Sequence, residues 1–274
     1  VDYYRIPRNE LGAGAKIPIS IFESADEVFR AAALDMIDTI EARNARGERT
    51  VLICPVGPVG HYPVFVREVN ARRINLANVW FINMDEYLAD PSTWIDISDR
   101  LSFRGFMRRT VYDRLDPALA MPESQRVFPD PRDPDAIGRL ITEFGGVDGC
   151  YGGIGITGHV AFNEPEESPV AVSPEEFAER RTRVLRISPE TRAVNAVGEL
   201  GGAIERMPEW CITVGMKEIL SAKKIRLYCF RDWHRAAVRR AAYGDISARF
   251  PVTLLQKHPD ARITVTGNVA EPAY

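Results

Sequence analysis

The order of segments in this chain of 274 residues predicts an α/β fold, a mostly parallel sheet sandwiched between helices. Two observations carry that prediction. Short uninterrupted apolar runs, among them TVLICP (50–55) and ANVWFIN (77–83), have the form of strands buried on both faces. They alternate with stretches whose apolar residues recur every three or four positions, the period of a helix.

The elements follow in order. Ser24-Ala-Asp-Glu27 is a capping box, in which a side-chain oxygen can hold an orphan amide and a glutamate follows three residues on. Behind it Val28, Phe29, Ala32, Ala33, Met36, Ile37 and Ile40 share one helical face, and Gly47 follows the end. Strand 50–55 leads through a Gly/Pro-rich turn into the helical pattern YPVFVREVNARR (62–73), and 77–83 is the next strand. Residues 102–115 and 134–144 read as helices, and 146–156 as a glycine-laced strand running into a loop. Residues 209–215 and 224–230 read as strands separated by a short helix, 233–243 as a helix, and 261–267 closes the set. No repeat, low-complexity tract or linker divides the chain. Residues 20–274 therefore read as a single domain and 1–19 as an N-terminal extension.

Composition excludes partners. With 35 Lys plus Arg against 38 Asp plus Glu, the formal charge of −3 lacks the cation surplus that neutralises a phosphate backbone, so no nucleic-acid partner is expected. No uncharged apolar run approaches the roughly 18–20 residues of a membrane span. The four cysteines lie far apart without a CxxC pair, three of them in apolar runs, which reads as buried core in a reducing compartment. With no apolar leader at the N-terminus, a cytoplasmic location is expected. The four histidines are scattered, with no HxH or HxxxH spacing, so neither a metal nor another cofactor is expected.

In open α/β sheets ligands bind at the carboxyl ends of the strands. Three such ends carry polar or glycine-rich sequence: PVGPVGH (55–61), NMDEY (83–87) and GGIGITGH (152–159), the last continuing as VAFNEP (160–165). Together they bring Asp85, Glu86, His159 and Glu164 towards one sheet edge, carboxylates and an imidazole suited to moving protons near neutral pH. Taken singly, each has a plainer use. An Asp-Glu pair can cap a helix, a lone histidine can be a structural hydrogen-bonding group, and glycine turns bind anions only where amides converge.

The order NMDEY, GGIGITGHVAFNEP, ITVGMKEILSAKKI (212–225) resembles the glucosamine-6-phosphate deaminase/isomerase family, sister to the 6-phosphogluconolactonases, from about residue 20 to 267. The resemblance implies the three-layer α/β/α sandwich of the ribose-5-phosphate isomerase/coenzyme A transferase type. It also implies that Asp85 is the proton-transferring base, that His159 helps to open the sugar ring, and that Glu164 sets the state of that histidine. A sugar or sugar phosphate is the implied small-molecule partner, and a homo-oligomer the default assembly. Gly57, Gly60, His61, Glu86, Thr157, Gly158, Asn163, Arg231 and His234 are the substrate-binding candidates, with Glu86 and Asn163 in supporting or structural places.

The chain departs from the family pattern in two regions. Thr157 stands where the family has an aspartate bracing the histidine, and a hydroxyl can only hydrogen-bond. The family's Gly/Ser/Thr-rich phosphate loop is replaced by PVGPVGH, with no hydroxyl and with Pro58 lacking an amide hydrogen. Val197 aligns with a phosphate-contacting arginine, and Arg231 or His234 replaces a lysine. The expectation is an isomerase or deaminase with a changed ligand, a sugar or sugar acid without the usual terminal phosphate. Lactone hydrolysis, or sugar binding with weakened chemistry, are the alternatives.

Overall fold

In the computed structural model, which describes residues 2–167 and 171–274, a seven-stranded parallel sheet forms the centre of the molecule. Among the described residues the strands are β1 (Ile19–Phe22), β2 (Thr50–Cys54), β3 (Val79–Asn83), β4 (Asp85–Asp90), β5 (Thr93–Trp94), β6 (Arg126–Val127), β7 (Gly149–Gly152), β8 (Arg183–Arg186), β9 (Trp210–Thr213), β10 (Ile225–Cys229) and β11 (Ala261–Thr266). The central order is β1-β11-β10-β7-β2-β3-β6. The helices are α1 (Ala25–Asn44), α2 (His61–Arg72), α3 (Phe103–Thr110), α4 (Ala136–Phe144), α5 (Pro174–Ala178), α6 (Pro189–Leu200), α7 (Met216–Leu220), α8 (His234–Tyr243) and α9 (Gly267–Ala270).

Strand β2 shows why the sheet is covered on both sides. All five of its residues are buried, and alternate side chains enter different cores. Leu52 and Cys54 join Val28, Met36 and Ile40 of α1 and Phe65 and Val69 of α2. Val51 and Ile53 join Val238 of α8, Met216 of α7 and Ile141 of α4 on the opposite face. That is the expected α/β/α layering. The capping box is formed: the Glu27 amide donates to Ser24 Oγ, and the Ser24 amide donates to Glu27 Oε2.

A second sheet was not visible in the sequence. Strands β5-β4-β9-β8 pair antiparallel, and 209–215, read as one more strand of the alternating series, supplies β9 to that sheet. The switch occurs at Met84. Its amide donates to Cys54 O in the central sheet, and its carbonyl accepts from the Val214 amide, both at 2.8 Å. One residue thus separates β3 from β4, and Asp85 opens the second sheet paired with Thr213. An apolar run records burial but not partner direction, so 209–215 reads from sequence like any strand of the central sheet.

The stretch read as an extension lays Leu11 and Ile17 into the core. It is fixed by the Lys16 amide on Ala242 O and by the buried Arg239, whose Nη2 donates to Ile6 O. All four cysteines are buried free thiols. Among the described residues no helix is long and apolar enough to cross a membrane.

Candidate active site

The carboxyl ends of β2, β3, β7 and β10 border a cleft of about 270 Å³, closed on one side by residues 100–106 and by α6. Tyr87, Phe103 and Phe162 form an aromatic part of its wall, with the Phe103 and Phe162 rings parallel at 6.3 Å between centroids.

Asp85 lies on this wall as the first residue of β4, only 6% exposed. Burial, and then the charge of neighbouring Glu86, push its pKa well above the ordinary carboxylate range. Ionised, it is a base held in a site that favours taking a proton.

His159 also faces the cleft, and behind it lies a closed triangle. Its Nδ1 is 2.8 Å from Thr157 Oγ1 and 3.2 Å from Glu164 Oε2, and Thr157 Oγ1 donates to the same Glu164 oxygen at 2.7 Å. A hydroxyl that spends its proton on Glu164 can only accept from the ring, so the proton of neutral His159 sits on Nδ1. Nε2 is left as the acceptor. Burial works to raise the Glu164 pKa, but the His159 charge and hydrogen bond, together with the Thr157 hydroxyl, outweigh it and bring the value to about 2. The carboxylate missing at position 157 is thus supplied to the imidazole by Glu164 itself.

Gly155 lets that ring stand where it does. A Cβ on Gly155 would lie 1.9 Å from His159 Nε2 and 2.0 Å from Cε1. Gly155→Ala must therefore displace the imidazole. Turnover is expected to fall at least tenfold with the helical and strand content unchanged, checked by steady-state kinetics alongside far-ultraviolet circular dichroism.

The other sequence candidates divide. Gly57, Arg231 and His234 line the cleft, and Thr157 acts from behind His159. Glu86 does not reach it: the fully buried carboxylate accepts from the amides of Tyr87, Phe103 and Arg104 at 2.9 Å, from Ser102 Oγ and from Arg104 Nε. An anion at the N-terminus of α3 also meets the favourable end of the helix dipole. Glu86 thereby ties residues 100–106 over the cleft. Asn163 is likewise internal, donating to Val160 O and Val214 O and accepting from Arg183 Nη1. Gly60 packs against Phe29, and Gly158, at φ +77°, lies under the Phe250 ring. His61 is 1% exposed and off the cleft wall, with neither ring nitrogen bonded, and burial lowers its pKa to about 3. Substrate contacts from Glu86, Asn163, Gly60, Gly158 and His61 do not fit these positions.

His234 lines the cleft but has no group to spare. Its Nδ1 accepts from the Phe230 and Arg231 amides, and Nε2 donates to Ile154 O at 3.1 Å. Burial holds its pKa down to about 3, so it is a neutral brace between the loops after β10 and β7. Arg100, Tyr87, Asn195 and Glu199 join the wall unforeseen. Asn195 Nδ2 donates to Tyr87 Oη at 3.0 Å, tying α6 to β4. Ser188 with Pro189, and Gly201 beyond the end, are helix signals that could have located α6 and so Asn195 and Glu199. No such pattern marks Arg100. Among the described residues no group of three or more His, Cys, Asp or Glu side chains is placed to hold a metal ion.

No family model matches the chain. It is 29% identical over 240 residues to a glucosamine-6-phosphate deaminase of Caenorhabditis elegans, covering 87% of this chain and 85% of the relative. A solved monomeric glucosamine-6-phosphate deaminase superposes with a TM-score of 0.78 at 25% identity, over 92% of this chain and 98% of the other. A 6-phosphogluconolactonase from Shewanella baltica OS155 shares the fold, with a TM-score of 0.63 at 14% identity over 91% and 97% of the two chains. In sequence and fold the chain is thus similar to glucosamine-6-phosphate deaminases, and it shares its architecture with the 6-phosphogluconolactonases.

Proposed function

We propose that the chain is an aldose–ketose isomerase or deaminase of a small sugar, with Asp85 as the base that carries a proton between neighbouring carbons. The observation that carries this reading is the pair of groups on one cleft wall: a buried carboxyl of raised pKa and an imidazole with a free Nε2. The names of the relatives support a sugar-phosphate enzyme of this general kind.

In the first step His159 Nε2 takes the proton of the anomeric hydroxyl. The ring oxygen leaves C1, taking the electron pair of that bond, and is protonated by the imidazolium, giving the open-chain aldehyde. The Asp85 carboxylate then removes the proton on C2. The electron pair forms a C1–C2 double bond, and the aldehyde oxygen gains a proton to give an enediol, or an enolamine for a 2-amino sugar. Asp85 returns its proton to C1. With a hydroxyl on C2, that hydroxyl releases its proton to solvent, balancing the proton taken up from solvent at O1, and the product is the ketose; with an amine on C2 the same step leaves an iminium, to which water adds before ammonia departs. A carboxyl with a raised pKa suits both halves, since it must gain and then lose a proton near neutral pH.

The test is reaction in deuterium oxide with candidate aldoses, followed by nuclear magnetic resonance at C1 and C2. Solvent deuterium entering the carbon next to the carbonyl is the expected result. Release of acid from a lactone without carbon exchange would mark hydrolysis instead, and binding with neither would mark a sugar-binding protein; either outcome overturns the proposal.

A further inference from the structure

The end of the cleft away from Asp85 has few polar groups to offer. Residues 55–59 (Pro-Val-Gly-Pro-Val) present no hydroxyl, and Pro58 has no amide hydrogen. His234 is spent on the backbone, and Phe230 and Trp233 add aromatic surface. Against this background stands Arg231, which follows β10. Its guanidinium makes no ion pair or hydrogen bond to another described side chain, and it lies against α6, where a Cβ on Gly198 would come within 3.1 Å of Nη1. Glu199 on the same wall does not neutralise it.

The sheet order separates this cation from the base. Strand β10 and strand β3, which leads into Asp85, are three places apart in the order β10-β7-β2-β3, or ~14 Å at the spacing of neighbouring strands. With both side chains reaching inward, that span matches a hexose with its reacting carbons at one end and C6 at the other. Arg100, whose guanidinium also has no ion-pair or hydrogen-bond partner among the described residues, comes from a segment that Ser102 fastens to Glu86 beside Asp85. One guanidinium therefore serves the far end.

We propose that Arg231 binds a carboxylate at C6, so that the sugar is a hexuronate or an amino-hexuronate. The proposal rests on the isomerase or deaminase reading and names its substrate class. A planar guanidinium satisfies both oxygens of a carboxylate with two parallel hydrogen bonds. A phosphate monoester carries three outer oxygens and close to two charges, whereas a single guanidinium supplies one positive charge and the neighbouring Pro, Val, Phe and Trp side chains supply none.

The experiment is calorimetric titration of three matched sets, hexuronates, hexose 6-phosphates and neutral hexoses, each in the gluco, galacto and manno configurations. At least one hexuronate is expected to bind tenfold or more tightly than its 6-phosphate and neutral counterparts. Arg231→Gln should erase that preference while leaving the neutral hexose within twofold. A 6-phosphate that binds as tightly, a preference that survives Arg231→Gln, or no binding by any hexuronate overturns the proposal. Deuterium exchange keeps the two readings apart. Exchange on a hexose 6-phosphate without uronate preference sinks the carboxylate and leaves the isomerase, whereas uronate preference without exchange does the reverse.

Discussion

Asp85→Asn is expected to lower turnover by about 10²–10⁴-fold, the usual contribution of a positioned general base, while ligand affinity stays within a few fold. The same change should stabilise the protein. Asp85 lies almost entirely out of water beside another carboxylate, and burial raises its folded-state pKa well above the ordinary aspartate value of 3.8. Between those two values the folded state holds a proton that the unfolded chain gives up, so stability falls as pH rises through that window. Asparagine carries no such charge. The variant should gain about 1–3 kcal/mol at neutral pH and lose that part of the pH dependence, measured by urea denaturation from pH 4 to 8. Turnover that survives, or a variant no more stable than the parent, would remove Asp85 from the role of base. The acid side of the activity profile should also lie above the ordinary carboxylate range, because the reaction requires Asp85 to be ionised.

The sequence made the central sheet legible for a physical reason. A strand buried on both faces tolerates almost no polar residue, so TVLIC and VWFIN stand out, and the alternating helical periods between them fix the layer order. The second sheet left no such mark. Strand β8 is RVLR, four residues with charged ends, and β9 announces burial without saying that it pairs with β4. At the site, the residues that touch the cleft through a strand end were found, as Asp85, His159, Gly57 and Arg231 show. What sequence could not tell was which polar groups were already taken. Glu86, Asn163 and His234 look like ligand-binding side chains until their hydrogen bonds are seen to end on the protein itself. Arg100 was invisible for the converse reason, since an exposed arginine in a loop has the composition of any solvated surface.

Glu164→Gln should separate the two jobs of the triangle behind His159. With a pKa of about 2 against the ordinary glutamate value of 4.5, Glu164 is ionised in the folded protein at pH values where the unfolded chain binds a proton. Its stabilisation is present above about pH 4.5 and disappears as pH falls towards 2; at ~1.4 kcal/mol per pKa unit it amounts to roughly 3–4 kcal/mol. The glutamine variant should therefore be less stable at neutral pH by that order, yet lose little more on acidification over that window. Its chemistry should fail selectively. Without the carboxylate, Nδ1–H faces a neutral amide and the Thr157 hydroxyl, and the imidazolium that forms when Nε2 takes the anomeric proton is no longer stabilised. Turnover of a ring-closed sugar should drop by about 10²-fold. An open-chain analogue blocked from cyclising bypasses that step and should keep most of its rate of deuterium exchange, which Asp85 governs. Equal losses on both substrates would mean that Glu164 holds the architecture of the cleft rather than the charge on His159. A loss confined to the closed ring would assign the triangle to ring opening, with Thr157 and Glu164 together serving the imidazole from behind.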